Sequence, residues 1–305
     1  MKIGLLQLEN YINIAIEKLR IFYLSEGHCV ENYNPFNHYD LVCISKIFSF
    51  TKNYQLQINA DKIDEGGTGL NLKKLPDYIE NLKPKINVGF TSRGCVKKCE
   101  HCIVPYKEGS FKIVSEDIQD FWDGKSKNIT LLDNNILVDE KHFKNIMEQI
   151  KKNEITVDFN HGIDILFLDE TDDQIISYFK YFKRFIRFAC DNFELLPVIR
   201  KKIKILIDKG IKPSKLFFYV LVGKNKSDLS DNIYTIQYLR NIGATVFAQA
   251  YLPHWVKERK SPIHPIFDEL SRWGCISFNR NIPFERYLKY RNNLNLLKDY
   301  YNKIY

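Results

Sequence analysis

Asn87-Val-Gly-Phe-Thr-Ser-Arg-Gly-Cys-Val-Lys-Lys-Cys-Glu-His-Cys-Ile-Val-Pro-Tyr-Lys-Glu-Gly-Ser110 holds three of the seven cysteines of the chain, Cys95, Cys99 and Cys102, in the spacing C-x3-C-x2-C. Three thiolates in one short loop are soft ligands that select iron–sulfur clusters or zinc. A purely structural site usually takes four protein ligands. Three cysteines therefore predict a metal centre with one coordination position left for a ligand that is not protein.

This spacing resembles the cluster loop of the radical S-adenosylmethionine superfamily. The resemblance implies that the three cysteines hold a [4Fe–4S] cluster, whose fourth iron binds the amino and carboxylate groups of S-adenosylmethionine. It also implies reductive cleavage to a 5′-deoxyadenosyl radical, with electrons from a donor of the flavodoxin or ferredoxin type. The residues after the loop, Ile103-Val-Pro105 and Lys107-Glu-Gly109, resemble the corresponding segment of methylthiotransferases and some cobalamin-type radical enzymes.

Length and composition limit the class of protein. A chain of 305 residues is long enough for one large α/β domain and a smaller one. Its 45% hydrophobic and 14% aromatic content excludes a disordered chain. The first residues lack the zones of a secretory signal, and the longest apolar run, Leu216 to Val222, is too short to span a bilayer. We therefore expect a cytoplasmic protein without a membrane partner, whose thiols stay reduced and can bind metal.

The formal net charge of +8 is concentrated near the end of the chain, where ten Lys and Arg accompany five Asp and Glu between Lys257 and Tyr305. Five aromatic residues are interleaved with these charges: Trp273, Phe278, Phe284, Tyr287 and Tyr290. Such a pattern is compatible with RNA contact. An amphipathic helix whose aromatic side covers the core is the alternative interpretation, and a lysine-rich composition would produce the same bias.

Residues 1–62 predict a small Rossmann-like α/β unit. Lys2 to Leu6 has the pattern of a buried strand, Asn10 is expected to cap a helix that ends at Ser25, and Leu41 to Ser45 has the pattern of a later strand. No G-x-G-x-x-G follows a strand, so no dinucleotide site is predicted. The unit resembles the domain that precedes the radical core in cobalamin-binding enzymes and methylthiotransferases. It lacks the D-x-H-x-x-G motif of the former and the N-terminal cysteine triad of the latter, and no C-terminal RNA-binding barrel follows.

A glycine-rich linker is predicted over residues 63–85, and beyond it strand and helix patterns alternate. The expected strands lie near residues 86–90, 129–133, 155–159, 185–189, 216–222 and 245–250. The expected helices lie near residues 115–123, 140–152, 172–183, 194–209 and 228–241. This order predicts a partial six-stranded (βα) parallel barrel over residues 86–252, with its site at the carboxyl ends of the strands. Residues 253–305 predict a lid loop and a C-terminal helical segment.

Polar residues follow the second and third of these strands. Asp133, Asn134 and Asn135 stand where the resemblance places groups that bind the amino group of S-adenosylmethionine. Asn160 and Asp164 are expected to hold the substrate near the Lys107-Glu108 loop, although an Asx turn would also explain these two residues. His161, between them, is the candidate for proton transfer, with a structural histidine as the alternative.

The later strands supply further candidates for the cofactor site. Asp191 is expected to bind ribose hydroxyls or to cap a helix, and Gly223 lets the backbone approach adenine. Tyr251 is expected at the pocket floor or as a seal of the barrel. His101, next to the third cysteine, is expected to lie against the adenine. Cys190 is either a buried filler or a hydrogen-atom donor.

These features together predict a radical S-adenosylmethionine enzyme whose substrate is a modified nucleobase or RNA, with a small metabolite or peptide as the next choice. A zinc-stabilised nucleic-acid-binding module is one alternative, with the metal completed by His101 or a distant histidine, although zinc loops usually present paired C-x2-C arms. A non-catalytic scaffold protein with an iron–sulfur cluster is the other.

Overall fold

The computed structural model describes residues 1–52, 57–71, 73–224, 229–252, 263–275 and 281–304. These residues form two compact units. The first unit contains Met1–Gly89 and Asp117–Ser126, and the second contains Phe90–Glu116 and the described residues from Lys127 onward. The predicted lid loop falls largely outside the described residues.

The first unit is built on a parallel sheet of four strands in the order β2-β1-β3-β4. Its strands are β1 (Lys2–Gln7), β2 (Cys29–Asn32), β3 (Tyr39–Ser45) and β4 (Ala60–Gly66). Strand β4 was not predicted, because it lies at the edge of the sheet and its side chains are mostly exposed and polar. The unit also contains α2 (Asp77–Glu80) and β5 (Val88–Gly89).

Helix α1 (Ile14–Ser25) packs on this sheet through Ile16 and Leu19. Its N-cap is Asn13, whose side-chain oxygen accepts hydrogen bonds from the first turn, so the prediction that Asn10 caps the helix is wrong. The Asn13 amide nitrogen also donates to Ser45 Oγ at 2.8 Å, which fixes this residue at the end of β3. That second contact explains why the helix begins there and not at the earlier asparagine.

The predicted linker packs tightly on the chain that follows β3. A Cβ atom on Gly67 would lie 2.2 Å from the Lys46 carbonyl oxygen, and one on Gly69 would lie 2.6 Å from the Phe48 backbone. Gly69 also donates a backbone hydrogen bond to Lys46 at 2.9 Å. These glycines therefore serve close packing of two loops.

The second unit begins with a short antiparallel pair, β6 (Ser92–Arg93) and β7 (Lys112–Ile113), with α3 (Val104–Lys107) between them. Its other strands pair in parallel, β8 with β9 and β11 with both β10 and β12. These strands are β8 (Asn128–Leu131), β9 (Thr156–Phe159), β10 (Ile186–Ala189), β11 (Leu216–Val222) and β12 (Thr245–Ala250). Single bridges join Val157 to Phe182 and Ile163 to Phe188. The chain is thus an α/β protein with parallel sheets, as predicted.

Helices alternate with the parallel strands of this unit and follow its C-terminal end. They are α4 (Glu140–Lys152), α5 (Asp173–Tyr178), α6 (Leu196–Asp208), α7 (Leu229–Asn241), α8 (Ile266–Cys275), α9 (Phe284–Tyr290) and α10 (Asn295–Ile304). Helix α4 buries Phe143, Ile146, Met147 and Ile150, which share one face. The helix predicted near residues 115–123 is only a 3-10 turn at Ile118–Asp120, in the first unit, and an Asx turn at Asp123 follows it.

Three aromatic residues of the C-terminal segment, Trp273, Phe284 and Tyr287, are buried, whereas Tyr290 is exposed. These three side chains therefore agree with the alternative interpretation, an amphipathic segment whose aromatic residues pack on the core. Phe278 lies outside the described residues. In the part of the chain that the structure describes, no helix has both the length and the apolar character needed to cross a membrane.

Candidate functional site

The cysteine loop, residues 94–109, follows β6, contains the short helix α3 near its end, and leads to β7. Its two ends touch, since Cys95 donates its backbone N–H to the Gly109 carbonyl at 3.3 Å. Gly94 has φ of +79°, and a Cβ atom there would lie 2.2 Å from the Ser110 carbonyl oxygen. Only glycine fits this position, because both the backbone conformation and the space exclude a side chain.

The three cysteines of this loop are free thiols, each half-buried. Burial raises the pKa of Cys99 and of Cys102, and neighbouring thiols of the loop raise both values further, so the sulfur atoms lie within electrostatic reach of each other. Backbone N–H groups also point at the sulfurs, from Lys97 to Cys95 Sγ at 3.4 Å and from Val104 to Cys102. Such donors stabilise thiolate ligands.

The three thiols of the cysteine loop are not arranged around a preformed metal position. Among the described residues, no group of three or more histidine, cysteine, aspartate or glutamate side chains is arranged to hold a metal ion. The thiols are neighbours in one loop without ligand geometry. A metal bound here would require the three thiols to lose their protons and to turn toward it.

Asp133, directly beyond β8, is buried and accepts four hydrogen bonds from two residues at the beginning of the cysteine stretch. Its Oδ1 accepts from Thr91 Oγ1 at 2.6 Å and from the Ser92 backbone and hydroxyl at 2.5 and 2.6 Å. Its Oδ2 accepts from the Thr91 backbone at 3.1 Å. Burial raises the pKa of Asp133, and these hydrogen bonds oppose that shift. His142 Nε2 lies 3.0 Å from Thr91 Oγ1 and joins α4 to the network.

The next two residues also bind backbone groups. Asn134 Oδ1 accepts from the Gly94 N–H at 2.8 Å, immediately before the first cysteine. Asn135 Oδ1 accepts from the Asp164 N–H at 3.1 Å, which fixes the orientation of its amide. The Asn135 Nδ2 atom is buried and has no hydrogen-bond partner within the described chain. It is a donor that a bound ligand could satisfy.

Asp164, beyond β9, forms an ion pair with Lys97 of the cysteine loop. Its other oxygen accepts from the Leu166 N–H at 3.0 Å and caps a 3-10 turn. The Lys97 ammonium also lies 5.6 Å from the centre of the Phe167 ring. Asp164 thus forms the Asx turn that the sequence allows and also contacts the cysteine loop directly.

Asp191, beyond β10, faces His101 of the cysteine loop. Its Oδ1 accepts from the Leu221 N–H at 2.9 Å, and its Oδ2 lies 3.8 Å from His101 Nε2. Burial raises the pKa of Asp191 and lowers that of His101. His101 Nδ1 is buried and has no partner among the residues described. A third pair joins Glu100 to Lys224, beyond β11, at 3.7 Å.

Asn160 and His161 are exposed. The Asn160 carbonyl accepts from the Tyr219 hydroxyl at 3.1 Å. The surroundings of its ring desolvate His161 and lower its pKa, while a hydrogen bond to the Leu132 carbonyl and the charges of Asp133 and Glu108 oppose the shift. Glu108 itself is held by Arg93 through contacts of 2.7 and 3.0 Å.

The remaining candidates lie at the ends of β10, β11 and β12. Gly223 has φ of +74°. The aromatic ring that packs against it is that of Phe267 in α8, which would lie 2.4 Å from a Cβ atom added at Gly223. Tyr251 is half-buried and donates its N–H to the Val222 carbonyl at 2.8 Å. Cys190 is buried, and burial raises its pKa to about 12, as expected of a filler residue.

The structure therefore gathers the cysteine loop, Asp164 and Asp191 at one edge of the parallel strands. Sequence reasoning did not find the contacts of Thr91 and Ser92 or the ion pair made by Lys97. The available signal was weak: two hydroxyl residues directly after an apolar strand, and an acidic residue after the next one. No protein-family model matches the chain, and no curated protein matches it at a significant level of similarity.

Proposed function

We propose that this protein is a radical S-adenosylmethionine enzyme, with Cys95, Cys99 and Cys102 as the ligands of a [4Fe–4S] cluster. The observation that carries the proposal is the gathering of three free thiols in one glycine-bounded loop. That loop lies against residues beyond β9, β10 and β11, the edge at which parallel α/β proteins bind ligands. When bound, the cluster supplies the electron that cleaves the sulfonium of S-adenosylmethionine.

The polar atoms at this edge support a cosubstrate with both donors and acceptors. Asn135 Nδ2 can donate to a carboxylate, and the Asp191 oxygen that faces His101 can accept from a hydroxyl or amino group. The unpartnered His101 Nδ1 gives the imidazole a second polar contact to make with a bound ring. Asp164 offers a carboxylate that Lys97 neutralises.

We propose in addition that the parallel strands of the second unit belong to a six-stranded partial (βα) barrel. The two single bridges beside β9 and β10 support this arrangement, because they continue the parallel pairing from one group of strands to the next. The substrate that we propose is a modified nucleobase or RNA, supported by the net charge of +8. A one-electron donor of the flavodoxin or ferredoxin type and a cytoplasmic location complete the proposal.

The test is electron paramagnetic resonance of protein reconstituted anaerobically with iron and sulfide, reduced with dithionite, and measured with and without S-adenosylmethionine. We expect a [4Fe–4S]⁺ signal that shifts on addition, together with released 5′-deoxyadenosine. Cys99→Ala should lose the signal shift and the product. Cys29→Ala is the matched control, because this cysteine is exposed and lies in the other unit, and it should behave as the wild type.

Other results would contradict the proposal in distinct ways. A cluster signal that ignores S-adenosylmethionine indicates the scaffold alternative. Bound zinc without iron, in protein purified anaerobically, indicates the zinc-stabilised module. Product formation that survives Cys99→Ala removes the cysteine loop from the reaction.

A further inference from the structure

We infer that Asp133 and Asn134 are positioning residues that fix the chain leading into the cysteine loop, and that the Asp133 carboxylate does not contact the cosubstrate. The inference deepens the proposed function and rests on it as far as the bound metal is concerned. That these two residues fix the position of the loop follows from their hydrogen bonds and does not depend on a bound metal.

Asp133 has no freedom to bind a ligand. The residue is 1% exposed, and both carboxylate oxygens accept hydrogen bonds from Thr91 and Ser92 at 2.5 to 3.1 Å. Hydrogen bonds to a charged, buried acceptor are among the stronger ones in proteins, and leaving such a group unpaired is strongly destabilising. A cosubstrate that displaced these donors would lose more than it gained.

Asn134 holds the backbone two residues further along, at Gly94. Its side-chain oxygen holds the Gly94 N–H at 2.8 Å, and Gly94 is itself packed against the Ser110 carbonyl. The direction in which the backbone reaches Cys95 is therefore set from two sides. His142 Nε2, 3.0 Å from Thr91 Oγ1, ties the other end of this support to α4.

This geometry matters because metal ligands must be held within narrow limits of distance and angle. Residues that orient the ligands, without touching the metal, typically change metal affinity by about 10- to 100-fold when they are replaced. Asp133 and Asn134 stand in that relation to the first cysteine. Their neighbour Asn135, whose buried Nδ2 has no partner among the described residues, is the member of the tripeptide that offers a free donor to the cosubstrate.

The test replaces the side-chain oxygen of Asn134 in two ways. Asn134→Leu removes the acceptor for the Gly94 N–H, whereas Asn134→Asp keeps it. The readouts are the affinity for iron during anaerobic reconstitution with sulfide, and the rate at which iodoacetamide alkylates Cys95 in metal-free protein, followed by mass spectrometry. Asn153→Leu is the matched control, since the side chain of this asparagine donates to the Gln149 carbonyl at 2.8 Å, at the C-terminal end of α4.

We expect Asn134→Leu to weaken iron binding by about 10- to 100-fold and to change the alkylation rate of Cys95 several-fold. Asn134→Asp should stay close to the wild type in both readouts. A merely structural role would lower the melting temperature of the Leu variants at 134 and 153 alike and leave the rescue by Asp without effect.

The inference is overturned if Asn134→Leu matches Asn153→Leu in both readouts. If Asn134→Leu does not fold, the pair Thr91→Val and Thr91→Ser provides the same comparison, with Ser expected to keep wild-type behaviour and Val to lose it. Wild-type protein that takes up no iron would refute the proposed function alone, because the alkylation of Cys95 still reports whether Asn134 positions the loop.

Discussion

Replacing Gly94 by alanine tests the packing at the base of the cysteine loop. A residue with a side chain at φ near +79° is strained by about 1–2 kcal/mol. The added Cβ atom would also lie 2.2 Å from the Ser110 carbonyl oxygen and 2.7 Å from that of Gly109. Overpacking of this kind costs about 1–3 kcal/mol more, so the free energy of unfolding should fall by about 2–5 kcal/mol in total.

Gly109→Ala is the matched control for the backbone term. Gly109 has the same φ of +79°, but no atom lies within 4 Å of a Cβ atom built on it. This variant should lose only the conformational part, about 1–2 kcal/mol. The difference between the two variants, about 2 kcal/mol, isolates the contact with the Ser110 carbonyl and corresponds to roughly 4–8 °C in melting temperature for a unit of this size.

The assay is thermal and urea unfolding followed by circular dichroism, with both variants and the wild type measured side by side. Alkylation of the first loop cysteine in native protein gives a local readout, and it should accelerate in Gly94→Ala more than in Gly109→Ala. Equal destabilisation of the two variants would refute the reasoning, because the steric contact would then contribute nothing.

Two further predictions concern thiol reactivity and the end of β11. Because burial raises the pKa of Cys99 and of Cys102, and the thiolate is the reactive form, their alkylation rates should reach half of their maximum at a higher pH than the value of about 8.5 at which a free cysteine does so. Mass spectrometry of pulse-labelled native and urea-unfolded protein checks this, and identical profiles would contradict it. Gly223→Ala brings a Cβ atom within 2.4 Å of the Phe267 ring and should destabilise the protein by about 2–4 kcal/mol. Phe267→Leu should relieve part of that loss, so urea unfolding of the double mutant should show coupling, and strict additivity would count against the contact.

The fold could be predicted well wherever a hydrophobic pattern had only one interpretation. The strand at 216–222 and the helix at 140–152 agree with the structure residue for residue. The first is an unbroken apolar run of strand length, and the second repeats apolar residues at helical spacing. Strand β4 escaped because an exposed edge strand has no apolar pattern to detect. The cap of α1 was misplaced because two asparagines stand before the helix, and a contact to the distant Ser45 distinguishes them.

The candidate site could be predicted in its location but not in its internal contacts. The three cysteines are close in the sequence and belong to one loop, so their proximity follows from their spacing alone. The hydrogen bonds of Asp133 join it to residues more than forty positions earlier, and nothing local in the sequence encodes that pairing. The same is true of the pair between Lys97 and Asp164. Strand ends indicate which residues share an edge, and tertiary contacts decide which of them face a ligand.

The relative strength of these contacts indicates how the loop is held. Two ion pairs, Lys97 with Asp164 and Glu100 with Lys224, join the loop to the strand ends. Both are partly open to water, with the Glu100 side chain 84% exposed, and pairs of this kind contribute about 0–1 kcal/mol each. The buried carboxylate of Asp133 accepts hydrogen bonds of a kind that contribute about 1.5–3 kcal/mol each. The base of the loop is therefore the firmly fixed part, whereas its far side is held by contacts weak enough to exchange. The cosubstrate that we propose would therefore compete with those ion pairs and not with the hydrogen bonds that hold the chain entering at the first cysteine.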